Sequence, residues 1–194
     1  MNRIIRYTDI GWGYEPDQRH AELIVRDLGL EDAKGVSTPG DRLKEHELDE
    51  SLLDPAKATR YRQISARANY LALDRPDIMY AVKEICRSMS QPTGSGWTKL
   101  KRLGRYLVTH TRTVVSYPWQ GEEQVAKGYT DSDWGGCQRT GLSTSGGMIS
   151  IGSHWIRSWS KTQPSITLSS AEAELVAMSK AAAELLGIAN LARD

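Results

Sequence analysis

The stretch Leu168-Ser169-Ser170-Ala171-Glu172-Ala173-Glu174-Leu175 decides how the last third of this chain folds. Ser169, with Glu172 three residues on, has the spacing of a capping box. There the hydroxyl and the carboxylate each take up a backbone N–H that a first helical turn leaves unsatisfied. The stretch therefore opens a long alanine-rich helix from about Ser170 towards the chain end, and Glu172 belongs to its cap. Glu174 lies two residues further, about 200° around the axis, and points elsewhere. Leu175, Met178, Ala182 and Leu185 recur at helical spacing and predict the stripe that packs on the core, with Glu174 at its border.

Upstream of that helix the texture is short, β-branched and glycine-punctuated. Residues 113–117, 124–131, 145–151 and 154–160 read as strands. Strands followed by a helix make this part α+β. Asp131 ends an apolar strand just before the turn Trp134-Gly135-Gly136. Carboxylates on separate elements, here Asp131 and Glu174, could converge on a divalent cation, because Mg²⁺ takes hard oxygen ligands.

The middle of the chain reads as a small helical unit. Asp54-Pro55 supplies an N-cap carboxylate and a proline at the first helical position. That helix runs towards Leu73, and Arg75-Pro76 interrupts it, since a residue before proline avoids helical angles. A second helix from about Pro76 aligns Ile78, Val82, Ile85 and Met89. A third, from near Trp97, buries Leu100, Leu103 and Leu107. Before these, residues 2–14 suggest a hairpin. Pro16 opens a helix with an apolar face of Ala21, Leu23, Ile24, Val25 and Leu28, and Gly29 stops it. Residues 33–50 read as a linker.

The 194 residues carry a formal net charge of +1, with 39% hydrophobic and 25% charged side chains. Those values suit a globular chain of one or two domains. Residues 121–194 hold six basic and eight acidic side chains, which leaves nineteen and sixteen for the rest. The densest basic stretch is 97–112, where Lys99, Lys101, Arg102, Arg105 and Arg112 meet no carboxylate. Lys99, Lys101, Arg102 and Arg105 could neutralise backbone phosphates, or simply solvate the helix opposite its leucines. No apolar run reaches the length of a membrane span, and the N-terminal stretch has no signal-peptide core. Cys86 and Cys137 have no zinc-like spacing and read as free thiols of an intracellular protein, in cytoplasm or nucleus. No Ser-His-Asp set or P-loop is present. Trp12, Trp97, Trp134, Trp155 and Trp159 read as packing residues.

Taken together, Tyr129-Thr130-Asp131-Ser132-Asp133-Trp134, Ser143-Thr144-Ser145-Gly146-Gly147, Ser158-Trp159-Ser160-Lys161-Thr162-Gln163 and Leu168-Ser169-Ser170-Ala171-Glu172-Ala173-Glu174 resemble, in order and interval, the ribonuclease H domain of copia-type retrotransposons. Tyr61-Arg62-Gln63, Asn69-Tyr70-Leu71-Ala72, Arg75-Pro76-Asp77-Ile78 and Lys101-Arg102-Leu103-Gly104-Arg105-Tyr106-Leu107 are similar to the segment joining reverse transcriptase to that domain. Asp17-Gln18-Arg19-His20-Ala21-Glu22-Leu23 and Val36-Ser37-Thr38-Pro39-Gly40 extend the likeness over nearly the whole chain.

The resemblance implies an α+β chain in three parts. Residues 1–50 would be the end of reverse transcriptase with its linker, 51–112 a helical thumb or connection unit, and 113–194 a truncated ribonuclease H-like domain. It further implies a Pol polyprotein whose hydrolase cuts the RNA strand of an RNA–DNA hybrid, using four carboxylates and two Mg²⁺ (or Mn²⁺) ions. Carried over, the first two carboxylates are Asp131 and Glu174; Glu174 rather than Glu172, because Leu175-Val176-Ala177 follows it. The third and fourth have no match before the chain stops, Asp194 reads as a helical surface residue, and no polymerase Tyr-x-Asp-Asp motif occurs. The expectation is an incomplete hydrolase that binds metal weakly or not at all. Its partners would be hybrid or other nucleic acid, and another copy through an open sheet edge. The alternatives are an active enzyme completed by further sequence or another chain, and a non-catalytic nucleic-acid-binding module.

Overall fold

The structure, a computed structural model, describes residues 2–41, 43, 48–121, 125–137 and 139–193. Gln124, Asp194 and part of the expected 33–50 linker lie outside them. The described elements are β1 (Ile4–Thr8), β2 (Gly11–Glu15), α1 (Gln18–Leu28), α2 (Pro55–Leu71), a 3₁₀ turn (Pro76–Ile78), α3 (Met79–Cys86), α4 (Gly94–Thr109), β3 (Val115–Pro118), β4 (Ala126–Asp133), β5 (Thr144–Ile151), β6 (His154–Thr162) and α5 (Ser170–Leu191). Two three-stranded sheets run β1-β2-β3 and β4-β5-β6. The chain is mixed α+β, as expected. It divides into two compact units, Met1–Arg6 with Gly13–Val115, and Tyr7–Trp12 with Ser116–Asp194.

In the first unit the local signals act where the sequence places them. The Asp54 carboxylate accepts from Lys57 N–H at 2.9 Å, with Pro55 opening α2. Gly29 closes α1 in the left-handed region at φ 66°, a conformation that costs glycine little. The helix of residues 18–28 starts two residues after Pro16, because Asp17 rather than the proline caps it. Tyr61, Ile64, Ile78, Val82, Ile85, Leu100, Leu103 and Leu107 make one continuous core. Burial pushes the Tyr61 hydroxyl up to about 12, and that hydroxyl donates to the Ile85 carbonyl at 2.6 Å.

One buried charge organises the joint between α2 and α3. Arg75 is 1% exposed, and its guanidinium is bidentate on Asp77, at 2.8 and 2.7 Å, and also donates to the His110 carbonyl. Tyr106 donates to Asp77 from α4 at 3.0 Å. Burial alone would raise the Asp77 carboxyl. The Arg75 guanidinium and the Tyr106 hydroxyl outweigh it and hold the group below the usual carboxylate range.

The second unit packs α5 on the antiparallel β4-β5-β6 sheet. Its core is Ile149, Trp159 and Ala181, flanked by Ala126, Leu185 and Ile188. Gly147 pairs with Trp159 across the sheet, and a Cβ there would fall inside the indole ring. The expected packing stripe is corrected here. Ala173, Ala177 and Ala181 face the sheet, while Leu175 and Met178 are 62% and 57% exposed and Ala182 is exposed as well. Of the expected four only Leu185 packs. Trp159 and Ile149 already fill the space above the strands, so the helix approaches closely only through alanine. Ala177→Leu is therefore expected to destabilise by about 1–3 kcal/mol through overpacking. A thermal midpoint equal to that of the parent chain would show that this face is not the packed one. Trp12, 44% exposed, packs edge-on against Tyr7 and Trp119 at the surface, and Trp134 is 53% exposed.

Candidate active site

The motif segments meet at the far end of β4. Two stretches far apart in sequence are tied there by Glu174, whose Oε1 accepts both the backbone N–H and the hydroxyl of Ser132, at 3.0 and 2.7 Å. The half-buried carboxylate thus closes the first turn and a half of α5 onto the strand. Glu172 takes the other job, as its spacing suggests. Its backbone N–H donates to Ser169 Oγ at 3.2 Å, and its carboxylate accepts from Leu168 N–H at 2.6 Å, one residue earlier than the usual box.

Asp131 sits beside this contact in the chain but turns the other way. Successive strand residues face opposite sides. Gly128 lies under Leu185, and Ser132 bonds Glu174, so the even-numbered residues of β4 face α5. Lys127, Tyr129, Asp131 and Asp133 form the opposite, exposed row. Among the described residues no group of three or more His, Cys, Asp or Glu could hold a metal ion. A pair of cations needs several oxygen ligands each. The described residues therefore bring too few such ligands together to fit the metal pair that the resemblance implies.

The turn after β4 is held by a polar latch whose members carry motif positions without an assigned role. Gly135 N–H donates to Ser143 Oγ at 3.1 Å, Ser143 and Thr167 share a hydroxyl hydrogen bond of 2.9 Å, and Trp134 Nε1–H donates to the Thr167 carbonyl. The Gln163 amide, 3% exposed, donates to Ser145 Oγ and to the Ala173 carbonyl at 2.9 and 2.8 Å. Ser132 and Gln163 are the residues that sequence reasoning missed. The alternation of polar residues at the end of β4 could have indicated Ser132. Gln163 carries no local signal, since its partners are 18 and 10 residues away.

The four basic residues of α4 are spread over different tasks. Lys99 lies 3.9 Å from Glu84. Arg102 donates to Thr38 Oγ1 at 2.7 Å and pairs with Asp41, and Arg105 donates to the Lys34 carbonyl at 2.8 Å. Both arginines tie the 34–41 segment to α4. Lys101 is exposed. Cys86 and Cys137 form no disulfide, and among the described residues no helix is long and apolar enough to cross a membrane.

No protein-family model and no solved structure matches the chain. An uncharacterized mitochondrial protein of Arabidopsis thaliana, AtMg00810, is 37% identical over 169 residues, covering 86% of this chain and 68% of that protein. The retrovirus-related Pol polyproteins from transposons RE2 and RE1 of the same plant are 36% and 35% identical over 162 and 140 residues. Those alignments cover 82% and 72% of this chain but only 11% and 9% of the polyproteins, so the chain spans about a tenth of their length. With motifs matching in order from residue 17 to residue 174 and relatives aligned over most of its length, the chain belongs to the retrovirus-related Pol polyproteins of copia-type transposons.

Proposed function

We propose that the second unit is a ribonuclease H-like part of such a polyprotein, and that this chain by itself does not cleave RNA–DNA hybrid. The Glu174–Ser132 contact carries the first half of the reading. It brings the Tyr129–Trp134 and Ser169–Glu174 motif segments to one end of one strand, as a hydrolase assembled from those motifs would require. The second half rests on the arrangement of ligands. Glu174 is occupied by Ser132, Asp131 faces away, and no third described ligand joins them. In this reading Glu174 acts as a positioning residue that locks α5 to β4.

Hybrid cleavage with Mg²⁺ or Mn²⁺ tests this, comparing the parent chain with Asp131→Asn and Glu174→Gln. The expected result is no cleavage above background from folded protein, with Glu174→Gln lowering the melting midpoint and Asp131→Asn leaving it unchanged. Cleavage abolished by both substitutions would overturn the reading and show that the missing ligands reach the site from elsewhere.

A further inference from the structure

Residues 34–41 form neither helix nor strand and lie as a strap against α4. Arg105 donates to the Lys34 carbonyl at one end, and Val36 packs on the core of the first unit. The strap runs close to the helices. A Cβ on Gly35 would collide with Thr109 of α4, and one on Gly40 would come within 3.1 Å of Ala81 of α3. Its centre, Ser37-Thr38-Pro39, carries two exposed hydroxyl side chains. Of the seven prolines in the chain, Pro39 alone follows a serine or threonine. A residue before proline is held in an extended conformation, so Thr38 is offered on extended, exposed backbone.

Arg102 supplies an independent observation. Its Nη2 donates to Thr38 Oγ1 at 2.7 Å and lies 3.3 Å from the Asp41 carboxylate. Its Nε is buried and has no hydrogen-bond partner, whereas buried donors are as a rule paired. Nε and Nη2 lie on one edge of the guanidinium, the fork that takes two oxygens of a phosphate side by side. One prong of that fork already rests on the Thr38 hydroxyl, and the other is unsatisfied.

We propose that Thr38 is a phosphorylation site, modified by a protein kinase that recognises proline after its target hydroxyl. Thr38 Oγ1 attacks the γ-phosphorus of ATP and forms the new O–P bond. The bond to the departing ADP breaks, and the hydroxyl proton passes to the base of the kinase. The phosphate brings about −1.5 to −2 charges at pH 7 and three strong acceptor oxygens. Two of those oxygens engage the Arg102 fork, in competition with Asp41. The charge falls against residues 97–112, which hold five Lys or Arg and no Asp or Glu. New charge-assisted hydrogen bonds of this kind order a loop, so the modification fastens the strap to α4. The inference does not rest on the hydrolase reading.

The test is incubation of the full chain with ATP and a proline-directed kinase. One phosphoryl group is expected by intact mass, lost in Thr38→Ala and kept in Ser37→Ala. Phosphorus NMR then follows the titration of the bound phosphate. In the parent chain it should titrate about half a pH unit or more below the ordinary value near 6, because Arg102 favours the dianion. Arg102→Gln should return it to that value, with circular dichroism confirming the fold, and Asp41→Asn should lower it further. A folded parent chain left unmodified at Thr38 would overturn the proposal. So would a phosphothreonine that titrates alike in the parent and in Arg102→Gln, since the fork would then play no part.

Discussion

Asp77→Asn is expected to lower the unfolding free energy of the helical unit by roughly 2–4 kcal/mol, because it strands a buried guanidinium. Arg75 is 1% exposed, and two of its hydrogen bonds end on Asp77. The amide keeps the shape of the carboxylate but supplies neither the charge nor a second acceptor. The lower part of the range is favoured because the Asp77 side chain retains 32% exposure, which screens the pair. Urea unfolding followed by helical circular dichroism measures the effect. A free energy within about 0.5 kcal/mol of the parent, the usual scatter for surface substitutions, would show that Arg75 is satisfied without Asp77. The same pair predicts acid sensitivity. The Asp77 carboxyl is held below its ordinary value, so its contribution is complete above the unfolded-state value. It is lost as pH falls through the lower, folded-state one. Stability should therefore decline below about pH 4, and Asp77→Asn should flatten that decline.

Trp159→Ala should remove the second unit's tertiary structure while leaving the helical unit folded. Emptying an indole from a core costs about 3–5 kcal/mol. Among the described residues Ile149 and Trp159 are the only large apolar side chains buried in this core, beside the small alanines of α5, so little remains to offset the loss. Gly147→Ala is expected to act alike from the opposite strand, since its added methyl would need the space that the ring occupies. Limited proteolysis gives the reading. The expected products are a resistant helical fragment and rapid cleavage within residues 125–193. Resistance of both variants equal to that of the parent would mean that α5 and its sheet are held by something other than this indole.

Much of the architecture is local and therefore legible in the sequence. Asp54-Pro55, the Ser169–Glu172 pair and Gly29 act on backbone groups within four residues of themselves, so spacing alone defines where those helices start and stop. The leucines of α4 are equally legible, because that helix is amphipathic and has one apolar face to bury. α5 offers two. Its alanines and its leucine–methionine stripe are both apolar, and hydrophobicity cannot rank them. The choice was made by the sheet beneath, where Trp159 and Ile149 leave room only for Ala173, Ala177 and Ala181.

The candidate site divides along the same line. Its residue types and the separate duties of Glu172 and Glu174 were readable from helical geometry. The face taken by Asp131 was not, because strand alternation becomes informative only once Ser132 is seen to bond Glu174. Gln163 and the burial of Arg75 also depend on partners brought together by folding. By itself, then, the sequence determined the elements and, where a cap marks them, their ends, since caps and periodicity act within a turn or two. The tertiary structure alone decided which surfaces are inside, because that depends on volumes and unsatisfied polar groups supplied from elsewhere in the chain.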